Sequence, residues 1–404
     1  MGLISQFLNE KLQAKEAELL IDETMARAKQ RTGIIYELLP VATYDNDEFL
    51  MYVTETLSPA ASIIAPGAEV PTSSYGYFRK VVGQLAKFGL SYAFDEDLQT
   101  EIRKARESAM YKGTQVQNMI MPDGTVVKGS NDTLVNYLYG SITKLVEAHI
   151  NRMIFLGWQA LQYGEINFQD PLSRMELNIS YKRPGATYNH FPDALVQTGD
   201  TLDKSLNKWS DYEYADGLTR LFRDVLTWND TNGYFPDKIY MDWELCYDLM
   251  QQKSTKEAAR SMMVSPQVGS VSVDMLNVIL AARKLPPIEC TGLSETFQEH
   301  SFDGTVTNTG DPNVKNVRFF DKTRYIFGKK GMGQLAFGET EEAKMAAAAK
   351  SSGMPGETNL GGNSSIYVCV KADPTTPLKD YTIAVAKGLL VIPNPKLLFS
   401  RKAN

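Results

Sequence analysis

Gly331-Met-Gly333-Gln-Leu-Ala336 is the stretch whose residue types and spacing come nearest to a binding motif. Glycines at the first and third positions and a small residue at the sixth fit a relaxed dinucleotide fingerprint, in which a tight backbone turn approaches a pyrophosphate. That chemistry also needs a βαβ setting and an acidic strand end about 20 residues further on. Here the stretch lies near the end of the chain, outside a βαβ series, and no clear strand ending in an acid follows. A tight turn is the simpler reading of Gly331 and Gly333. There is no GxxxxGK[ST], no GxSxG and no HExxH. Cys246, Cys290 and Cys369 are far apart in the sequence, with no CxxC pair, and His149, His190 and His300 are equally scattered. Neither set has the spacing of metal ligands or of a disulfide framework. His149 falls inside a helical pattern, where a core or interface histidine is the simpler reading. Carboxylates are plentiful, but no pair stands out. The expectation is a protein that is not an enzyme, with no catalytic residue, no cofactor and no metal site.

Composition narrows the class further. Of 404 residues, 43% are hydrophobic and 22% charged, which permits a sizeable core and argues against general disorder. Length suggests two or three structural units. The formal net charge of −6 speaks against a dedicated nucleic-acid binder, which would show a basic stripe. Arg79-Lys80 and Lys329-Lys330 are only dipeptides, and they read as solvated surface, as does Lys87. The first 31 residues are charged throughout and lack the apolar stretch of a signal peptide. No window reaches eighteen apolar residues, so no membrane contact is expected.

The elements that would position these residues follow from patterning. Residues 3–31 carry two apolar stripes, Leu3, Ile4, Phe7, Leu8, Leu12 and then Leu19, Leu20, Ile21, Met25, which predict a helix stopped at Gly33. Glu48–Val53 and Phe78–Phe88 predict strands flanking a Pro-, Gly- and Ser-rich segment, Ser58 to Gly76, and hence a protruding hairpin. Ordering so long a loop is costly on an isolated monomer, and contact with a neighbour would offset that cost. A helical pattern runs from Asp95 to Tyr111. Pro122-Asp-Gly-Thr125 predicts a turn between Met119–Met121 and Val126-Val127. Leu134, Leu138, Ile142, Leu145, Val146, Ile150, Met153, Ile154 and Leu161 predict a single helix over 131–163, with Leu138, Ile142, Leu145 and Met153 on its sheet-facing side. Further on, strands are expected at Glu176–Tyr181, Lys238–Met241, Val317–Phe320 and Thr323–Phe327, and helices from Asp216 through Trp228, over Trp243–Gln252 and over Ser272–Lys284. Residues 343–363 read as a loop or loose link, followed by strands at Ser365–Lys371 and Tyr381–Pro393. The class is α+β with a mixed or antiparallel sheet.

This order of elements resembles the major capsid proteins of tailed bacteriophages, which share the Hong Kong 97-type capsid fold. The resemblance covers most of the chain and rests on order and local phrasing rather than on a signature motif. Ser58-Pro-Ala-Ala-Ser62 and Gly67-Ala-Glu-Val-Pro71 fall in the extended loop, and Asn131–Tyr163 is similar to the spine helix. Trp209-Ser-Asp-Tyr-Glu-Tyr-Ala-Asp216 resembles the lead-in to the axial domain, and Val273–Ile288 resembles its helix-then-strand unit. Thr323–Gly328 with Gly333 and Phe337–Glu342 looks like the strand and turn before the chain returns to the peripheral domain. The segment 113–130 departs from the simplest pattern.

The resemblance implies an N-terminal arm at 1–46, an extended loop at 47–93, a peripheral domain at 94–200 holding the spine helix 131–163, an axial domain at 201–342, and a link with return strands at 343–404. It implies a subunit that self-assembles through hexamers and pentamers into an icosahedral head around double-stranded DNA, assembled in the host cytoplasm and located in the virion. Its partners would be copies of itself, a separate scaffolding protein, a portal and possible decoration protein, with packaged DNA held only non-specifically. An encapsulin-like nanocompartment shell is the alternative on the same fold, and an unrecognised enzyme is the more distant one.

Overall fold

The structure is a computed structural model, and it describes residues 22–24, 26–27, 33–44, 48–55, 77–94, 100, 119–120, 126–127, 130–169, 175–181, 198–199, 203–262, 270–291, 296–300, 314–349, 357–362, 366–373 and 379–404. Most of the helix expected over 3–31, the loop tip between Ser58 and Gly76, nearly all of the 95–111 helix, the Asp-Gly turn and His190 lie outside the described residues.

The helices are α1 (Gly33–Leu38), α2 (Ser130–Tyr163), α3 (Gly217–Asn232), α4 (Trp243–Gln251), α5 (Lys253–Met262), α6 (Val273–Ala282) and α7 (Glu341–Ala349). The first strands are β1 (Val41–Tyr44), β2 (Glu48–Glu55), β3 (Tyr77–Gln84), β4 (Ala86–Phe94), β5 (Met119–Ile120), β6 (Val126–Val127), β7 (Glu165–Gln169), β8 (Glu176–Ser180) and β9 (Lys238–Asp242). They are followed by β10 (Ile288–Thr291), β11 (Thr296–His300), β12 (Val314–Arg318), β13 (Arg324–Gly328), β14 (Gln334–Gly338), β15 (Glu357–Gly362), β16 (Ile366–Asp373), β17 (Lys379–Val391) and β18 (Ser400–Lys402).

Two units share the chain, and α2 touches both. In the larger unit β17 is the central strand of a six-stranded sheet. One of its edges pairs with β16 and then with β14, and the other pairs with β4, all antiparallel. β15 extends the sheet beyond β16, and β1 adds in parallel to β14. α2 has 34 residues, roughly 50 Å at about 1.5 Å each. Ile142, Leu145, Val146, Ile150, Met153 and Ile154 recur at helical spacing and are all buried. Of the four residues expected to face the sheet, Ile142, Leu145 and Met153 lie in this core, while the side chain of Leu138 is outside the described residues. Met153 packs directly over Gly388 of β17. Toward its C-terminal end the helix is enclosed on further sides, since Leu156, Trp158 and Ala160 are buried as well.

β2 and β3 pair in antiparallel register from Glu48↔Gln84 to Glu55↔Tyr77 and form a two-stranded sheet of their own. β3 then runs through Leu85 into β4, so residues 86–94 belong to the main sheet while β2 and β3 pair with each other. The short β5–β6 pairing is the one that the Asp-Gly turn predicts.

The smaller unit is a four-stranded sheet ordered β10-β9-β13-β18. β10 is parallel to β9, with α4, α5 and α6 in the crossover between them. One sheet face, through Met241, Tyr325 and Phe327, forms a core with Trp209, Leu221 and Trp228. Phe327 stacks on Phe399 at 4.5 Å between ring centroids and meets Trp228 edge-on at 5.9 Å. The opposite face, through Tyr240 and Ile326, joins the core around α2. Helix starts follow their caps: Asp216 accepts from Thr219 N at 3.1 Å, and Ser272 from Met275 N at 3.3 Å.

Two expectations need correction. Within the stretch expected as a loop, 343–349 belong to α7 and 357–362 form β15. The Ala-rich run has high helix propensity, Ala343 N donates to Thr340 Oγ1 at 3.2 Å, and Glu341 and Glu342 sit in the first turn, where negative charge suits the helix dipole. β15 forms on an edge that β16 offers. The strand expected at Val317–Phe320 ends at Arg318, and Phe319 and Phe320 turn into the core instead. β11, its antiparallel partner, carried no clear pattern.

Candidate functional site

The Gly331–Ala336 stretch is a strand–turn–strand connection from β13 to β14, with no helix after the turn. Its amides point back into the protein. Gly331 N donates to Glu37 O at 3.1 Å, Met332 N to Lys329 O at 3.2 Å, and Gly333 N to Leu38 O at 3.4 Å. The two glycine amides satisfy carbonyls at the C-terminal end of α1 and the Met332 amide closes the turn itself, so they do not form the outward-facing cradle that a phosphate needs. The two glycines have different reasons to be there. Gly331 has φ +68° with open space around it, so its backbone conformation is what requires glycine. At Gly333 a Cβ would lie 2.7 Å from Leu39 Cδ2 and 2.9 Å from Val391 O, so close packing of backbone on backbone requires it.

His149 is buried against the sheet. Its Nδ1 lies 2.7 Å from Leu145 O, and the ring faces the backbones of Phe88 on β4 and Ala384 on β17. Burial holds its pKa below the ordinary value, so the imidazole is a neutral packing element at neutral pH. Lys87 on β4 pairs with Glu342 on α7, and the side chain of Lys80 is outside the described residues.

A buried polar cluster closes the smaller unit. Asp224 on α3 pairs with Arg401 on β18 and accepts from the Tyr325 hydroxyl of β13. Arg220, one turn earlier, donates to Lys402 O at 2.9 Å. Burial pushes the Asp224 carboxyl up, against the pull of Arg401, and pushes the Tyr325 phenol up as well. The geometry ties the C-terminal strand to α3 and has no accessible face for a substrate.

The chain also brings together two residues that look unrelated in sequence. Cys246 on α4 lies in the core of the smaller unit, and Cys290 on β10 packs against the same core. Among the described residues, no group of three His, Cys, Asp or Glu side chains could hold a metal ion. Two shallow depressions stand out among the described residues. One, of about 470 Å³, lies between α2 and the segment after β12, and its lining includes Gln159, Tyr163, Arg318 and Lys322. The other, of about 430 Å³, is lined by Trp243, Glu244, Tyr247 and Asp248 on α4. The smaller unit's helices carry exposed apolar pairs at i, i+4 spacing: Phe222 and Leu226 on α3, Trp243 and Tyr247 on α4.

No protein-family profile matches the sequence, and no curated protein matches it. Among solved structures the chain is similar to one described as a capsid protein of a prophage of E. coli CFT073, with 14% identity and a TM-score of 0.47, covering 95% of this chain and 98% of that one. It is also similar to a phage-related protein from Bordetella bronchiseptica RB50 (12% identity, TM-score 0.44, 95% and 96% covered). A third is a virus-like particle from Pyrococcus furiosus (9% identity, TM-score 0.38, 95% and 98% covered).

Proposed function

We propose that this chain is the shell subunit of a phage head, a major capsid protein that associates with copies of itself into a closed icosahedral particle around double-stranded DNA. The observation that carries the reading is the β2–β3 ribbon. It holds eight pairs of residues in register in a sheet of its own. An isolated two-stranded ribbon is marginal in water, and packing against another surface stabilises it. A neighbouring subunit supplies that surface repeatedly in a closed symmetric assembly. The exposed apolar pairs on α3 and α4 suit the same role. In this reading the first 46 residues act as an arm anchored through α1 and β1 on the larger unit, the β2–β3 part of 47–93 acts as the extended loop while β4 belongs to the main sheet, and α2 acts as the spine. The axial domain is the smaller unit, drawn from 201–342 without β14 and completed by β18, and the peripheral domain is the larger unit, built on α2, β1, β4 and β14–β17.

The partners are further copies in hexamers and pentamers, a scaffolding protein, a portal and possible decoration proteins, and the location is the virion after assembly in the host cytoplasm. The acidic balance suits a shell that does not grip DNA, since strong phosphate binding would hinder packaging and release. The reading assigns no catalytic residue and no cofactor. Hydrogen exchange tests it. Amides of 48–55 and 77–84 should exchange freely in dissociated subunits and become protected in particles, and equal protection in both states would overturn the role given to the ribbon.

A further inference from the structure

Lys87 on β4 and Lys387 on β17 stand directly opposite each other in the antiparallel register. Phe88, Ala384 and Ala386 pack into the core under α2, so side-chain alternation puts both lysines on the other face of the sheet. Like charges directly opposite each other across a strand pair repel. β17 is the one strand that β4 pairs with among the described residues, and β4 carries the ribbon, since β3 reaches it through Leu85. The first turn of α7 supplies the opposite charge. Glu342 pairs with Lys87, and Glu341 lies 3.7 Å from Lys387 Nζ and 3.1 Å from Lys344 Nζ. Thr340, itself buried, accepts from Ala343 N and so fixes where these two carboxylates begin the helix. Burial alone would raise the Glu342 carboxyl, but the hydrogen bond from Lys87 and the charge of Lys387 hold it below the ordinary carboxylate value, so it is ionised at neutral pH.

We propose that Glu341 and Glu342 form a charge-operated latch, which holds α7 on the sheet and neutralises a lysine pair that would otherwise push β4, and the ribbon it carries, away from β17. Ions in the medium set the latch. At low ionic strength the carboxylates attract both lysines. At about 1 M salt the screening length falls to roughly 3 Å, and the half-exposed Lys87–Glu342 contact loosens first. The two lysines are then screened from each other as well, so β4 stays paired while α7 lifts. Removing the carboxylates at low salt acts differently. It leaves the lysine repulsion unopposed and weakens β4 together with α7. The opposite response of the strand to salt and to loss of the glutamates is the signature of the latch. The latch belongs to a single chain, so it does not depend on the shell reading.

Hydrogen exchange of the full-length protein, read by mass spectrometry on peptides covering 86–94 and 341–349, tests the latch. In wild type, raising NaCl from about 0.05 M to about 1 M should lower the protection of 341–349 and leave 86–94 unchanged. In Glu341→Gln/Glu342→Gln at low salt both segments should lose protection, by about fivefold for two partly exposed ion pairs. Added salt should then restore 86–94. Adding Lys87→Gln to that variant should also restore 86–94 while 341–349 stays unprotected, a result that a merely structural role for the glutamates does not give. Equal protection of 86–94 in wild type and the glutamine variant at low salt would overturn the proposal. So would a loss that neither salt nor Lys87→Gln reverses. If the glutamine variant is insoluble, wild type decides the matter, because protection of 341–349 that is independent of salt overturns the latch. Exchange is compared on material that sediments as single subunits, so dissociation of particles is not mistaken for opening of the latch.

Discussion

Gly331→Ala and Gly333→Ala look equivalent in the sequence and should differ sharply in the protein. At Gly331 nothing lies within 4 Å of the new methyl, so the cost is the strain of an L-residue at φ +68°, about 1 kcal/mol. At Gly333 the methyl would sit 2.9 Å from Val391 O and 2.7 Å from Leu39 Cδ2. The leucine tip can swing aside, but the carbonyl belongs to the central strand β17 and is held by its pairing with Gln334. Relief therefore means separating β14 from β17 or shifting α1, and overpacking of this kind costs about 1–3 kcal/mol. Urea denaturation of each variant measures the difference. The Gly333 variant should lose more stability than the Gly331 variant, with a lower midpoint at an unchanged slope. A Gly333→Ala midpoint equal to wild type would refute the close-packing account. Tight dinucleotide binding by wild type, lost in either variant, would refute the structural reading of the turn altogether.

Other perturbations bear on the rest of the architecture. Leu145→Asp places an unpaired carboxylate in the core under α2, a cost of several kcal/mol, and should give insoluble or unassembled protein; normal particles from this variant would contradict the spine assignment. Asp224→Ala strands Arg401, Arg220 and Tyr325 in a buried site, so it should cost about 3–5 kcal/mol in denaturation, and a change below 1 kcal/mol would contradict the clamp between α3 and β18. Because burial lowers the His149 pKa, the folded chain takes up its proton at lower pH than the unfolded chain does. Its contribution is thus complete above the ordinary value of 6.5 and falls away as pH drops below it, by at most about 1.4 kcal/mol per pH unit. The difference in stability between wild type and His149→Gln should shrink between pH 6.5 and 5, and a constant difference would contradict the neutral, buried imidazole.

α2 was legible to within a residue because its apolar positions recur over many turns, and a long periodic pattern survives any local competition. β9, α4 and α6 were legible for similar reasons, with Ser272 and Pro286 punctuating α6. The stretch 343–363 was misread because a run of Ala, Gly and Ser suits both a loop and a capped helix. The cap at Thr340 and the open edge of β16 decide the outcome, and both are contacts made in the folded chain. The glycine turn was recognised as a turn, but the partners of Gly333, Leu39 and Val391, are 294 and 58 positions away and invisible to local spacing. The Asp224 cluster gave no signal either, since a lone Asp on an amphipathic helix normally faces solvent.

Electron microscopy of the purified full-length protein, with scaffold and portal supplied, tests the central claim most directly. The account expects closed particles of uniform size, built from hexamers and pentamers of this chain, with the β2–β3 ribbon lying against an adjacent subunit. Fields containing only monomers under those conditions, or particles in which residues 48–55 and 77–84 touch no neighbouring subunit, would contradict it.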